Sequence, residues 1–419
     1  MSVTGGAGAT PSDGDHQPTR PGQRIAAIDA LRGFALCGIL LINILAMGGP
    51  IEVSHPEARP DLGHPDWQVF WVSTVFVEGA MRGLFSFLFG AGMLLFLREA
   101  EGATPAAGRN RLFRRRAAWL ALFGVINGTL LLWPGDILLI YGIAAFLILP
   151  FAKAAPRRLL TVAATLIAGL TAFSALGAWA GGGVTPETVA EANAAIAHER
   201  AARLGGYWEN LVFMARTSWE WTVTPTFLWW IADGMAAMLI GMALLKARIL
   251  TGEAPARVYV LLAIAGFGLA IPLGLIEGWI TFTHYGVEQP LAAALVQPRR
   301  IALTLGWLGA FMLLWRSGRA RGLFAPLAAL GRMALSGYIA QSILAALVFS
   351  GFGLGLWGAL NWPGRWAVAA LIMAAEIAFA VLWLRRYRFG PMEWLWRWLT
   401  YGKRPRLRQP SPLAGEGGA

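Results

Sequence analysis

The arginines and lysines constrain this chain more than any other residues, because of where they interrupt it. Apolar stretches alternate with short polar joints, and each stretch is about long enough to cross a hydrocarbon core of roughly 30 Å at ~1.5 Å rise per residue. Ten can be marked: 26–47, 78–97, 114–133, 136–152, 158–180, 224–245, 257–277, 300–316, 328–351 and 365–384. The joints after the second, fourth, sixth, eighth and tenth stretches carry the charge: Arg98 to Arg116, then Lys153, Arg157 and Arg158, then Lys246, Arg248 and Arg257, then Arg316, Arg319 and Arg321, then Arg385 to Arg408. With Arg20, Arg24 and Arg332, that side holds 26 of the 35 basic residues. The opposite side holds seven: Arg59, Arg200, Arg203, Arg216, Arg299, Arg300 and Arg365. Joints rich in Lys and Arg stay cytoplasmic. The pattern therefore predicts an all-α fold, a polytopic transmembrane helical bundle of about ten spans with N- and C-termini cytoplasmic.

Composition points the same way. At 57% hydrophobic and 14% charged residues, with a mean hydropathy of +0.55, the chain is too apolar for an ordinary soluble domain. A net charge of +12 would suggest nucleic acid in a soluble protein. Here the positive charge divides by side and faces lipid headgroups and cytosolic anions, so membrane lipids are the expected partners and nucleic acid is not. The single cysteine, Cys37, excludes an internal disulfide and sits mid-stretch, as a small packing residue does.

Residues 1–24 are rich in Gly, Pro, Ser and Asp and are read as a disordered cytoplasmic tail, with the first span as the insertion signal. The bundle occupies 25–401, and 402–419 is read as a second disordered tail. No internal repeat emerges. One outer segment, 181–223, is long enough to fold by itself. Thr185-Pro186-Glu187 is a helix start, Gly205-Gly206 is a break, and the tryptophan-bearing piece that follows suits an outer membrane interface. Residues 391–401 read as an inner amphipathic interfacial helix whose Trp394, Trp396 and Trp398 lie at headgroup level.

Ionisable residues within apolar stretches need a partner or a task. Asp29 and Arg32, three apart on one helical face, make either a local ion pair or an anion contact held by Arg32. Glu78 and Arg82 have the spacing of an i,i+4 pair. Asp233 and Glu376 have no partner nearby in the chain and are expected to face the bundle interior. Asp136, in the corner Trp133-Pro134-Gly135-Asp136, can cap the helix that follows, with Asn127 and Tyr141 flanking it. Arg299 and Arg300 lie on the side where cations are scarce, placed to meet an anionic group. Apart from His16 in the tail, the histidines His55, His64, His198 and His284 all fall outside. None has the clustering or i,i+4 spacing of a metal site, and His55 is a candidate general base.

Several motifs are familiar. Arg24-Ile-Ala-Ala-Ile-Asp29-Ala-Leu-Arg32-Gly33, running on to Asn43, resembles the opening of the YeiB-like family of bacterial inner-membrane proteins of unknown function. So do Phe87-Leu-Phe-Gly90-Ala-Gly92, Gly135-Asp136-Ile-Leu-Leu-Ile-Tyr141-Gly, Gly331-Arg332-Met-Ala-Leu-Ser-Gly-Tyr338 with Gln341, and Gly390-Pro391-Met-Glu393-Trp394-Leu-Trp396-Arg397. The Asp29-x-x-Arg32-Gly33 opening is also similar to that of heparan-α-glucosaminide N-acetyltransferase and related transmembrane acyltransferases.

That wider resemblance implies an acyl group taken from a cytosolic carrier, with acyl-CoA as donor, and passed to a small-molecule, lipid or glycan acceptor across the inner membrane. No bound cofactor or metal is implied. In those acetyltransferases the reactive histidine lies in the first outer loop, where His55 is the nearest match. YeiB-like proteins often have His where this chain has Asn127, and Asn cannot accept a proton at neutral pH. The candidate catalytic residues are then His55, Asp136, Asn127 and Glu78. The candidate substrate-binding residues are Asp29, Arg32, Asn43, Arg82, Tyr141, Asp233, Arg299 and Arg332. The competing reading is a transporter or flippase for an anionic lipid or small molecule, suggested by Asp233 and Glu376.

Overall fold

In the computed structural model, residues 26–51, 61–99, 106–181, 186–284 and 289–409 are described. The helices, in chain order, are α1 (Ala26–Met47), α2 (Pro65–Phe76), α3 (Ala80–Glu99), α4 (Ala106–Gly128), α5 (Leu138–Ile148), α6 (Pro156–Ala180), α7 (Pro186–Leu204), α8 (Tyr207–Thr222), α9 (Pro225–Lys246), α10 (Ala256–Thr283), α11 (Pro290–Ser317), α12 (Arg321–Arg332), α13 (Ala334–Phe349), α14 (Trp362–Arg386) and α15 (Pro391–Tyr401). No β-strand occurs among the described residues. Six helices open on proline, whose missing N–H costs nothing in a first turn.

Each of the ten apolar stretches lies on a helix, but six helices are long and apolar enough to cross a membrane, or seven if the bent pair α12–α13 counts as one. This is a multi-pass membrane protein, and the expected count of ten is not reached on that criterion. α4 carries Arg109, Arg111, Arg114, Arg115 and Arg116 in its first half. α5 has 11 residues, roughly 17 Å of rise, against a core of roughly 30 Å. The stretch 328–351 is not one helix: the chain turns by 83° at Met333.

Two close crossings set the centre of the bundle. α1 passes α12 where Gly33 meets the Leu327 carbonyl and Gly331 meets the Asp29 carbonyl, with no room for a Cβ on either glycine. α3 passes α9 in the same way, Gly90 against Met238 and Gly241 against Phe87. Small residues at such crossings let backbones approach and gain dispersion contacts in a lipid setting. α6, α10 and α14 turn much of their apolar surface outward, including Phe173, Leu176, Leu261, Ile264, Leu371 and Leu382.

The outer segment folds as the pair α7–α8, broken at Gly205-Gly206. A buried Glu199–Arg203 pair at 3.4 Å pins it, with Glu199 also accepting the Ile51 N–H at 3.1 Å. Beyond α15 the described residues run on to Gln409, within the 402–419 segment read from the sequence as a tail. The Arg388 and Gln409 amides bond back across α14 and its tail, and the Trp394 indole donates to the Pro405 carbonyl at 2.8 Å. α15 also departs from a simple interfacial helix. Trp396 turns inward onto α4, donating to the Arg116 carbonyl at 2.9 Å.

Candidate functional site

A cavity of about 320 Å³ opens at the end of the bundle where α1 begins and α3 ends. Its rim carries four guanidinium groups, Arg32, Arg116, Arg332 and Arg397, and two carboxylates, Asp29 and Glu393. Asp29 and Arg32 pair at 3.1 Å, as their spacing on one face requires, and Arg32 also reaches the Gly331 carbonyl. The Arg116 guanidinium lies 3.4 Å from the centre of the Trp396 ring, a cation–π contact that holds the rim to α15.

Glu393 joins the rim to the bent helix pair. One of its oxygens accepts from the Leu335 N–H at 2.7 Å and the Ser336 N–H at 3.1 Å, and the other accepts from the Ser336 hydroxyl at 2.6 Å. Those amides belong to the first turn of α13, which has no intrahelical acceptors for them. A carboxylate from α15 thus caps α13 through space. Burial pushes the Glu393 carboxyl above its usual range, and the hydrogen bonds from Ser336 and Leu335 oppose that shift.

Inward from the rim the wall is aromatic, with Phe85, Phe89, Phe96 and Phe113. Leu138, Tyr141 and Tyr338 also line the cavity. The Tyr141 hydroxyl lies 2.5 Å from that of Ser86 and donates to the Arg82 carbonyl at 3.3 Å. The Tyr338 hydroxyl accepts from the Ile137 N–H at 3.1 Å and lies near the Asp136 carboxylate.

Asp136 does cap α5, accepting the Leu139 N–H at 2.8 Å through Oδ2. Its Oδ1 accepts from the Asn127 amide at 2.8 Å. Gly124 makes this possible, since a side chain there would strike both the Asp136 carboxylate and the Leu139 amide. Asn127 is fully buried, and its own Oδ1 has no partner among the described residues.

The remaining charges are placed differently from the sequence-based expectation. Glu78 and Arg82 do not pair, because Gly79 has φ 74 and α3 begins only at Ala80, which leaves Glu78 off the helix. Glu78 instead lies 3.6 Å from Arg299. Asp233 has two partners, Arg82 and Arg300, each at 3.0 Å, with Arg82 stacked over Trp230 at 4.1 Å. Arg299 and Arg300, expected to meet an external anion, are consumed internally. Arg299 is fully buried and grips Glu277 at 2.5 and 3.0 Å, and it also bonds the Thr74 carbonyl. Three cations face three carboxylates across α3, α9, α10 and α11, so this layer is balanced without a ligand. The structure therefore removes Glu78, Asp233 and Arg299 from the cavity and gives them structural partners.

Of the sequence candidates, Asp29, Arg32, Tyr141 and Arg332 line the cavity, and Asp136 and Asn127 stand just behind its lining. Asn43 is half-buried on α1 and does not line it. His55 lies outside the described residues. Among the described residues, no three His, Cys, Asp or Glu side chains are grouped to hold a metal. The structure adds Tyr338, Glu393, Arg116 and Arg397 to the cavity lining. Tyr338, Glu393 and Arg397 lie in the family-like motifs, and the 83° bend and the inward turn of α15 bring them to one cavity.

The chain is similar to known proteins along most of its length. A family model described as "Protein of unknown function (DUF418)" matches residues 244–403. The chain is 30% identical over 392 residues to uncharacterized protein YeiB of Escherichia coli (strain K12), covering 90% of this chain and 96% of that protein. It is 29% identical over 411 residues to uncharacterized protein YxaH of Bacillus subtilis (strain 168), covering 92% and 96% respectively. An uncharacterized 39.9 kDa protein of Bacillus acidopullulyticus is 28% identical over 384 residues, covering 91% and 95%.

Proposed function

Since the chain belongs to the YeiB-like family, whose compared members are themselves uncharacterized, we propose from its own cavity that it is a transmembrane acyltransferase. It takes an acyl group from acyl-CoA at the cytoplasmic face and passes it to an envelope or secreted acceptor. The supporting observation is the course of the cavity, which runs from a rim of four arginines along an aromatic wall to two tyrosine hydroxyls backed by Asp136. Guanidinium groups suit the phosphates of a nucleotide carrier. A volume of about 320 Å³ is near the lower end of small-molecule sites. It suits the acyl end and stem of such a carrier, with the nucleotide held outside at the rim.

Transfer breaks the thioester C–S bond and forms a C–O or C–N bond to the acceptor. The acceptor's proton passes through Tyr338 to Asp136 and finally to the leaving thiolate. Tyr141, turning its hydroxyl away from the Arg82 carbonyl, is the candidate donor to the oxyanion that develops at the acyl carbon. His55 remains an alternative base in this reading.

The location that goes with this is the bacterial inner membrane, with ten spans and both termini cytoplasmic, on the strength of the basic-residue distribution. A cysteine introduced at Glu191 in a Cys37→Ala background should be labelled only from outside; labelling only from the cytoplasm refutes the orientation. For the reaction, inverted membrane vesicles containing the protein should move label from radioactive acetyl-CoA into a lipid, glycan or protein fraction, and vesicles carrying Asp136→Asn should not. Equal labelling in both would remove the reading. The transporter reading keeps one supporting observation, the buried carboxylate Glu376, which no basic side chain pairs with among the described residues.

A further inference from the structure

We propose that Glu376 and Gln341 form a proton-binding site within the bundle, in which Glu376 is held as a neutral carboxylic acid doubly hydrogen-bonded to the Gln341 amide. The argument is one of donors and acceptors. Glu376 lies on α14 and Gln341 on α13, 6% and 1% exposed, so neither relies on water. The Gln341 Nε2 donates to Glu376 Oε2 at 3.0 Å. That leaves Oε1 of Glu376 and Oε1 of Gln341, one on each partner of the same hydrogen bond, and both lack a donor among the described residues.

An ionised carboxylate is acceptor-only, so in that form two buried oxygens stay unsatisfied. A single proton on Glu376 Oε1 supplies the missing donor and closes the pair into the ring that a carboxylic acid and a primary amide form. Glu376 Oε1 sits close to where a side chain on Gly337 would begin, one helical turn before Gln341 on the same face of α13. Among the described residues no basic side chain forms an ion pair with Glu376.

The titratable groups on the elements packed against α14 are otherwise engaged. Asp29 and Arg32 of α1, Arg332 of α12 and Tyr338 of α13 line the cavity. Asp66 of α2 accepts the Trp362 N–H at 2.9 Å. Cys37 of α1 is the group in electrostatic reach of Glu376, and a thiol supplies no positive charge. An unpaired anion within the bundle is unfavourable, and the proton removes it.

The test is infrared spectroscopy of the purified protein in liposomes at neutral pH, comparing wild type with Glu376→Gln and Gln341→Met. Glutamine at 376 can make the same two hydrogen bonds, so that variant folds and its thermal midpoint stays within a few degrees of wild type. The wild type should show a protonated-carboxyl carbonyl band that Glu376→Gln lacks and that Gln341→Met shifts. No Glu376-dependent band at neutral pH overturns the site, and a band indifferent to Gln341→Met overturns the pairing. Should Gln341→Met not fold, the comparison with Glu376→Gln decides alone. Acetyl-CoA binding measured on the Glu376→Gln protein should equal that of wild type, so failure of this site and failure of the acyltransfer reading are separate outcomes.

Discussion

The Asn127 amide donates to the Asp136 carboxylate at 2.8 Å, tying the end of α4 to the start of α5 behind the cavity lining. The same carboxylate caps α5 through Leu139 and lies near the Tyr338 hydroxyl. One side chain thus serves both the fold and the proposed proton path, and replacements can separate the two.

Asp136→Asn keeps an oxygen for the Leu139 N–H and should cost only a few tenths of a kcal/mol in stability. It removes the proton acceptor, and loss of an acid–base group typically lowers turnover by about 10²–10⁴-fold. Thermal melts in detergent and acetyl-transfer assays on the same preparation give both values. Asn127→His, which places a base beside Asp136, should retain or raise turnover.

Asp233 satisfies two arginines at once, so Asp233→Ala leaves Arg82 and Arg300 buried without a counter-charge. Stripping one partner from a buried pair costs about 3–5 kcal/mol. We expect poor membrane yield and a much lower melting temperature. Asp233→Ala combined with Arg300→Met should recover part of the loss, a coupling that a double-mutant cycle measures.

Gly331 has no room for a methyl group against the Asp29 carbonyl. Gly331→Ala should separate α12 from α1 and cost about 1–3 kcal/mol, whereas Gly322→Ala, in open space on the same helix, should be harmless. Melting of the two variants side by side tests the crossing.

Burial raises the Glu393 carboxyl above its ordinary value. A group that holds its proton more tightly when folded contributes stability that is present at low pH and declines as pH rises through the folded value. Stability should therefore fall with rising pH above the ordinary glutamate range, and Glu393→Gln should flatten that slope. A slope unchanged in the variant would assign the effect to another group.

The helices and their breaks were legible because hydropathy and proline placement are local properties. Asp29 and Arg32 were legible for the same reason, being three residues apart on one helix. Glu78 and Arg82 misled because one glycine with positive φ ends the register that their spacing assumes. The partners of Asp233 are 67 and 151 positions away along the chain, and no periodicity encodes such a distance. The cavity was illegible for a related reason. Its lining depends on the bend at Met333, which lies inside a run whose hydropathy is that of an unbroken span.

Binding of radiolabelled acetyl-CoA to the purified protein in lipid nanodiscs decides whether the arginine rim receives an acyl carrier. The expected result is saturable binding that weakens with salt, falls at least about tenfold in Arg32→Ala and Arg332→Ala on the scale of a lost charge-assisted contact, and survives in Asp136→Asn. Absence of saturable binding, or binding indifferent to both arginine replacements, would contradict it.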